Sequence, residues 1–266
     1  KKKPQVFVGC AKWGRPDWIG KIYPKGTKAG NFLDEYAKQF NCIEFNAIYY
    51  RLPPKSQIET WNKKTPDDFL FCPKFTDVIT HVRRLKNAEK DVEEFLDTVY
   101  ALGKKLGPVF LMPHPQMGAK HKDTILDFIK SLPKGLDLFV EFRHPEWYEK
   151  AHFESMCAEL QKLKKGMVIT DAAGRRDCVH MRLTTPSAFI RFVGNSLHKT
   201  DFERIDEWVK RIKKWMDNGL ERCYFFMHQH EELYSPELCK YLIENLNKEC
   251  KLDLKVPVFV NDTKLF

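Results

Sequence analysis

The stretch Leu138-Phe139-Val140-Glu141-Phe142-Arg143-His144-Pro145 is an apolar run that ends in a carboxylate, a guanidinium, an imidazole and a proline. The run has the composition of a buried strand, and Pro145 stops it. Side chains alternate between the two faces of a strand, so Glu141 and Arg143 point one way and Phe142 points the other. Buried charges are costly unless they are paired or reach water. We therefore predict that this strand opens into a pocket at its C-terminal end.

The same kind of apolar run recurs along the chain and alternates with longer amphipathic segments. Eight runs predict strands near residues 6–10, 42–47, 69–73, 109–112, 136–142, 167–170, 188–192 and 222–227. Seven segments predict helices near residues 32–40, 56–64, 88–106, 122–132, 153–163, 201–216 and 236–248. Alternating strands and helices favour a parallel sheet with right-handed crossovers.

The length of the chain selects among parallel folds of this class. Eight strands in 266 residues fit a closed (β/α)8 barrel, which typically takes about 250 residues. An open doubly wound sheet is the alternative, but no G-x-G-x-x-G follows the first strand and no Walker loop is present. We therefore predict an α/β fold, a single TIM-like (β/α)8 barrel, in one domain over residues 1–266.

Composition narrows the class of protein and its compartment. Hydrophobic residues make up 43% of the chain, which excludes a disordered protein. The eight cysteines are scattered and include no C-x-x-C pair, which indicates a reducing, cytoplasmic location. No apolar run reaches the roughly 18 residues of a membrane span, so no membrane partner is expected. The sequence leaves the oligomeric state open.

The chain is basic, with a formal net charge of +9 and a pI near 9.0. This charge suits an anionic small molecule or nucleic acid as partner. The alternative is that lysine-rich surface helices carry the excess, because the Lys104-Lys105, Lys164-Lys165 and Lys213-Lys214 pairs lie in or beside helix-like stretches. No RNA-binding signature or zinc-finger spacing is present.

In a barrel, working residues come from the C-terminal ends of the strands and from the loops that follow. Aromatic side chains crowd the same end and suit a sugar ring or a nucleobase, although each could instead anchor a loop. The charged residues could also have a structural role instead of a functional one. In that alternative a buried ion-pair network only closes the barrel, and it consists of Glu44, Arg143, Lys74 and Arg191. The catalytic candidates are Glu44, Glu141, His81 and Asp171, and the substrate-binding candidates are Trp13, Asn46, Tyr50, Lys74, Arg84, Arg143, Trp147, Arg191 and His228.

No organic cofactor is expected. The carboxylates and imidazoles among the candidates are ligand types that a divalent metal accepts, but Lys74 and Arg143 would compete with a cation, and no site residue is assigned to a metal. A serine nucleophile is disfavoured because no G-x-S-x-G elbow is present.

Three functions fit this set of residues. The first is an enzyme of hydrolase type acting on a phosphate-bearing or nucleic-acid-like substrate, in which cations hold the anion and Glu141, Glu44 or His81 moves protons. The second is a carbohydrate hydrolase or isomerase that uses Glu44 and Glu141 as a pair. The third is a non-catalytic protein that binds nucleic acid with its basic mouth.

Several ordered motifs are similar to those of a known family. Met112, Val193 and His228-Gln229 depart from its usual pattern. The matching motifs are Gly9, Trp13, Pro16-Asp17-Trp18-Ile19-Gly20, Tyr23-Pro24, Ile43-Glu44-Phe45-Asn46, Tyr50-Arg51, Phe71, Lys74, Ile79-Thr80-His81, Leu106-Gly107-Pro108 and Val140-Glu141-Phe142-Arg143-His144-Pro145 with Trp147. On these residues the chain resembles the YecE-like family, domain of unknown function 72. The resemblance implies a TIM-barrel fold and no settled biochemical activity.

Overall fold

The computed structural model describes residues 3–262, and all eight predicted strands are present. Because each predicted strand is a short apolar run, its burial on both faces explains why it forms. The fifth strand is shorter than the predicted range 136–142 and covers Leu138–Val140, although the backbone N–H of Glu141 still donates to the carbonyl of Leu111 at 2.8 Å. The strands are β1 Gln5–Cys10, β2 Cys42–Phe45, β3 Leu70–Pro73, β4 Val109–Leu111, β5 Leu138–Val140, β6 Gly166–Ala172, β7 Ser187–Gly194 and β8 Arg222–Gln229.

Seven α-helices follow these strands on the outside of the sheet. Their apolar faces pack against the outward-facing strand residues in one large hydrophobic cluster. Within residues 3–262 no α-helix joins β6 to β7, and a single 3-10 turn, Arg176–Cys178, lies there instead. The helices are α1 Phe32–Gln39, α2 Lys55–Lys63, α3 Glu89–Tyr100, α4 Lys122–Ser131, α5 Lys150–Lys162, α6 Lys199–Asp217 and α7 Ser235–Cys250.

The sheet is parallel throughout and curves round on itself. Its strand order is β3-β2-β1-β8-β7-β6-β5-β4, so β3 and β4 are the two edges. Isolated parallel bridges, Phe71 with Leu106 and Lys74 with Phe110, link those edges. The backbone N–H of Phe75 also donates to the carbonyl of Phe110 at 3.0 Å. The result is a nearly closed (β/α)8 barrel, as predicted.

The interior of the barrel is filled by one inward-facing set of side chains. A glycine on β6 makes room for this set, because a Cβ on Gly166 would lie 2.2 Å from the ring of Phe139. Large rings opposite such small positions are how a barrel core reaches full packing density. This inner cluster consists of Cys42, Cys72, Phe110, Phe139, Val168, Phe189, Tyr224 and Phe226.

Candidate functional site

A layer of charged side chains lies directly above the inner cluster, at the C-terminal ends of the strands. Because side chains alternate along a strand, a residue two positions after an inward-facing one also faces inward. This rule places the charges in the barrel mouth. Glu44 follows Cys42, Lys74 follows Cys72, Glu141 follows Phe139 and Arg191 follows Phe189, each two positions later.

Arg191 bridges the two glutamates of the mouth. Its Nε and Nη2 donate to the two carboxylate oxygens of Glu44 at 2.9 and 2.8 Å. Its Nη1 lies 2.9 and 2.7 Å from the two oxygens of Glu141. Both carboxylates are fully buried, and a guanidinium is suited to such paired contacts because it is planar and permanently charged. Arg191 is therefore a structural bridge, and most of its donors are not free for a substrate.

Glu44 is held by three side chains in all. Besides Arg191, the amide of Asn46 donates to it at 2.9 Å, and Nε2 of His228 lies 2.9 Å away. Burial alone would raise the pKa of Glu44, but Arg191 and His228 outweigh burial and hold that pKa well below its usual value. Glu44 is therefore ionised at neutral pH and is a weak base.

Glu141 is held in a similar way. Nε of Arg143 donates to its Oε1 at 3.0 Å, and the hydroxyl of Thr170 donates to the same oxygen at 2.8 Å. Burial pushes the pKa of Glu141 upward, but Arg191 and Arg143 push it down further, so the net direction is lower. The two glutamates therefore share one charge state, whereas an acid and base pair requires two different ones.

Lys74 is the one side chain of this layer whose charge is not neutralised by direct pairing. Its ammonium lies over the ring of Tyr49, 4.1 Å from the centroid, and within residues 3–262 its Nζ makes no hydrogen bond. Burial, followed by repulsion from Arg191, lowers the pKa of Lys74 to about 8, although Glu141 and Glu44 act in the other direction. Charged and neutral forms of the amine are therefore both populated near neutral pH.

His81 lies at the rim, in one turn of π-helix at Val78–Val82. Its Nδ1 contacts the hydroxyl of Thr80 at 2.8 Å and the hydroxyl of Tyr49 at 3.2 Å. Burial, and then the charges of His114 and Lys74, lower the pKa of His81. Its imidazole is therefore neutral at pH 7 and able to accept a proton.

Asp171 lies outside this layer, so the structure does not bring it together with the other predicted catalytic residues of the mouth. It accepts a hydrogen bond from Nε1 of Trp208 at 2.7 Å and another from Arg204 at 3.0 Å, both on α6. It also pairs with Arg176. On β6 the inward-facing residue is its neighbour Thr170, so Asp171 faces the surrounding helices.

Of the three aromatic residues that were predicted to bind substrate, two pack against other side chains and one is exposed. Trp13 packs on Phe45 and Trp61 at the outside of the sheet. Trp147 is buried and donates from Nε1 to the carbonyl of Met117 at 2.7 Å. The structure places neither of them among the charged residues of the mouth, and their role in substrate binding stays a prediction. Tyr50 is 80% exposed at the rim and contacts the ring of Tyr49.

Two cations stand at the edge of the mouth. Arg143 is 39% exposed, and within the described part of the chain its Nη groups make no hydrogen bond. Arg84 is exposed and donates to the side chain of Gln116 at 3.1 Å. The structure thus brings together Glu44, Asn46, Lys74, His81, Glu141, Arg143, Arg191 and His228, with Tyr50 and Arg84 at the rim.

Sequence reasoning missed two residues of the mouth as site members. Thr170 is one of them, and strict alternation along β6 from the inward-facing Val168 would have found it. Tyr49 is the other, since its ring lies under Lys74 and its hydroxyl contacts His81. No signal separates Tyr49 from its neighbour Tyr50, because a loop has no fixed alternation.

The residues of the mouth do not form a metal site in this arrangement. Among residues 3–262 no group of three or more His, Cys, Asp or Glu side chains is placed to hold a metal ion. The guanidinium of Arg191 stands between the two buried carboxylates, where a cation would have to lie.

Among residues 3–262, none of the helices has the length and apolar character needed to span a membrane.

Comparison with known proteins gives a consistent result. The family profile described as "Protein of unknown function DUF72" matches residues 7–258. The "UPF0759 protein YecE" of Escherichia coli K12 is 29% identical, and the alignment covers 98% of this chain and 100% of that protein. The "UPF0759 protein YunF" of Bacillus subtilis is 27% identical over 56% of this chain and 54% of its own length.

Solved structures of DUF72 family proteins share the fold. One from Enterococcus faecalis superposes with a TM-score of 0.73 at 18% identity, covering 98% of this chain and all of that chain. One from Thermotoga maritima has a TM-score of 0.72 at 23% identity, covering 93% of this chain and all of its own.

Proposed function

The chain belongs to the DUF72 family of proteins of unknown function, and we propose that its barrel mouth binds and hydrolyses a phosphate-bearing substrate. One observation carries the proposal. The mouth holds three cations, Lys74, Arg143 and Arg191, against two carboxylates, and Arg191 is paired with both of these. A substrate anion would supply the missing charge.

Arg143 is the group we assign to the phosphate. Its Nε is fixed by Glu141, which orients the guanidinium, while its Nη groups make no hydrogen bond to any residue from 3 to 262. Such a guanidinium can donate two parallel hydrogen bonds to phosphate oxygens. Lys74 adds a second positive charge, and the pair would stabilise negative charge that develops on the phosphoryl oxygens.

His81 is the group we assign to proton transfer. Its Nδ1 contacts Thr80 and Tyr49, which fixes the ring, and its pKa lies below the usual value. With the proton of the neutral ring on Nδ1, donated to one of these hydroxyls, Nε2 is free to accept a proton from an attacking water. The water oxygen bonds to phosphorus, and the P–O ester bond breaks with its electrons going to the ester oxygen. That oxygen takes the proton back from His81 and leaves as the alcohol. In this scheme the glutamates position the cations.

A carbohydrate hydrolase fits less well. That chemistry requires one carboxylic acid to be protonated while its partner is ionised. Both glutamates here have lowered pKa values and face the same guanidinium. Binding of nucleic acid without reaction is the remaining alternative, and an assay of both binding and turnover distinguishes it from hydrolysis.

The test combines binding with turnover. Phosphate mono- and diesters, with neutral sugars for comparison, are titrated by calorimetry, and released alcohol is assayed. Arg143→Met should weaken phosphate binding about ten- to a hundredfold, since a hydrogen bond to a charged group contributes about 1.5–3 kcal/mol. Arg222→Met is the matched control, because Arg222 lies at the other end of the barrel with 49% exposure.

His81→Gln should abolish release of the alcohol and leave phosphate binding unchanged. His152→Gln, at an exposed position on α5, is its control. Equal phosphate affinity in wild type and Arg143→Met would refute the proposal. Tight binding of oligonucleotides with no product from any ester would replace hydrolysis by binding alone.

A further inference from the structure

Three lysines in the described part of the chain are buried, and they differ in what their amines contact. Nζ of Lys105 donates to the carbonyls of Asn62 and Thr65 at 2.6 and 2.7 Å. Nζ of Lys165 donates to the carbonyl of Leu136 at 2.6 Å. These two amines are held by main-chain acceptors, as buried polar groups normally are.

Lys74 departs from this rule. Lys74 is 9% exposed, against 4% for Lys105 and 6% for Lys165, and across residues 3–262 its amine has no hydrogen-bond acceptor and rests on the face of Tyr49. It stands at the C-terminal end of a barrel strand, where catalytic groups of such barrels come from. An amine that has no hydrogen-bond acceptor at the mouth of the barrel is available as a nucleophile.

We infer that Lys74 forms an imine with the carbonyl group of an aldehyde or ketone substrate that also carries a phosphate. This inference rests on the proposed function, because Arg143 binds the phosphate and thereby brings the carbonyl to the amine. The neutral amine needed for attack is plentiful. With a pKa of about 8, Lys74 has roughly two orders of magnitude more neutral amine at pH 7 than an ordinary lysine.

The reaction balances with the groups present. The Nζ lone pair bonds to the carbonyl carbon, and the C=O π electrons move to oxygen. Both N–H protons end on that oxygen, which leaves as water when the C=N bond forms. His81, whose neutral imidazole accepts and returns a proton, is suited to carry them. The phosphoester bond is not touched in this step.

Reductive trapping tests the inference on the intact chain. The protein is incubated at pH 7 with glycolaldehyde phosphate and sodium cyanoborohydride, whose hydride reduces the protonated imine to a stable secondary amine. Peptide mass spectrometry then measures labelling at each lysine, as the mass of the aldehyde less one oxygen atom. Labelling of Lys74 should be at least about tenfold faster than at Lys105, Lys165 or the exposed Lys210. Labelling of Lys74 no faster than at those three lysines would overturn the inference.

Two variants separate this inference from the proposed function. Lys74→Arg keeps the positive charge but has no amine that can form an imine, so trapping at this position should be lost while Lys105 and Lys165 keep their wild-type labelling. Arg143→Met should abolish the preference of Lys74 for glycolaldehyde phosphate over neutral glycolaldehyde. If phosphate binding depends on Arg143 but Lys74 is not selectively trapped, imine formation at Lys74 is refuted and the proposed function is retained. If Lys74 is trapped equally well with both aldehydes in the wild type, the phosphate-guided imine is refuted.

Discussion

Replacing Arg191 by methionine removes the positive charge that two buried carboxylates share. In the wild type, four contacts of 2.7–2.9 Å join the guanidinium to Glu44 and Glu141. Glu44 would keep its contacts with Asn46 and His228, and Glu141 would keep those with Arg143 and Thr170. Breaking one buried ion pair costs about 3–5 kcal/mol. Arg191→Met breaks two such pairs, but because each glutamate keeps other contacts, we expect the free energy of unfolding to fall by about that amount in total. For a chain of this size it lowers Tm by about 6–20 °C.

The loss of stability should depend on pH in a definite direction. In the wild type the pKa values of Glu44 and Glu141 lie below those of the unfolded chain, so their favourable contribution is present above the unfolded pKa, near 4.5, and is lost as pH falls through the folded value. Without Arg191, burial raises both pKa values, and protonation then relieves the repulsion. The difference between Arg191→Met and wild type should therefore be largest at pH 7 and above, and should shrink towards pH 5.

The assay is urea unfolding followed by tryptophan fluorescence at pH 7 and pH 5. Arg182→Met is the control, because the Arg182 pair with Glu154 is exposed and 3.9 Å long and should contribute less than about 1 kcal/mol. Adding Glu44→Gln and Glu141→Gln to Arg191→Met should recover at least half of the lost stability. A loss below about 1 kcal/mol at pH 7, or one that is equal at both pH values, would refute the reasoning.

Two further substitutions test the alternation of β6. Thr170→Val keeps the side-chain shape but removes the hydroxyl that donates to Glu141, so the free energy of unfolding at pH 7 should fall by about 1.5–3 kcal/mol; an unchanged urea midpoint would contradict this. Asp171→Asn removes the charge that faces Arg204 and Trp208, so stability should fall by about 2–4 kcal/mol while phosphate affinity measured by calorimetry stays within about twofold of wild type. A large loss of phosphate affinity, measured on the folded fraction of Asp171→Asn, would instead show that Asp171 takes part in binding the phosphate.

The predicted fold rested on local patterns that need no tertiary information. Apolar runs such as those of β1 and β8 have strand composition and are buried on both faces, and helix-period segments between them require parallel crossovers. Alternation along a strand also predicted that Glu141 and Arg143 point the same way, and in the structure Nε of Arg143 donates to Glu141. Family membership followed from motifs read along the chain, and the profile match over residues 7–258 confirms it.

The composition of the mouth was decided only by the tertiary structure. The sequence placed Asp171 and Arg191 at strand ends with equal weight, yet only Arg191 faces inward, because register with neighbouring strands determines which face a residue takes. The packing of Trp13 and Trp147 depends on partners distant along the chain. So does the difference between Lys74, whose amine has no acceptor within residues 3–262, and Lys105 and Lys165, whose amines donate to main-chain carbonyls. A hydrogen bond is a property of two groups and their relative position, so the residue type of one group alone does not determine it.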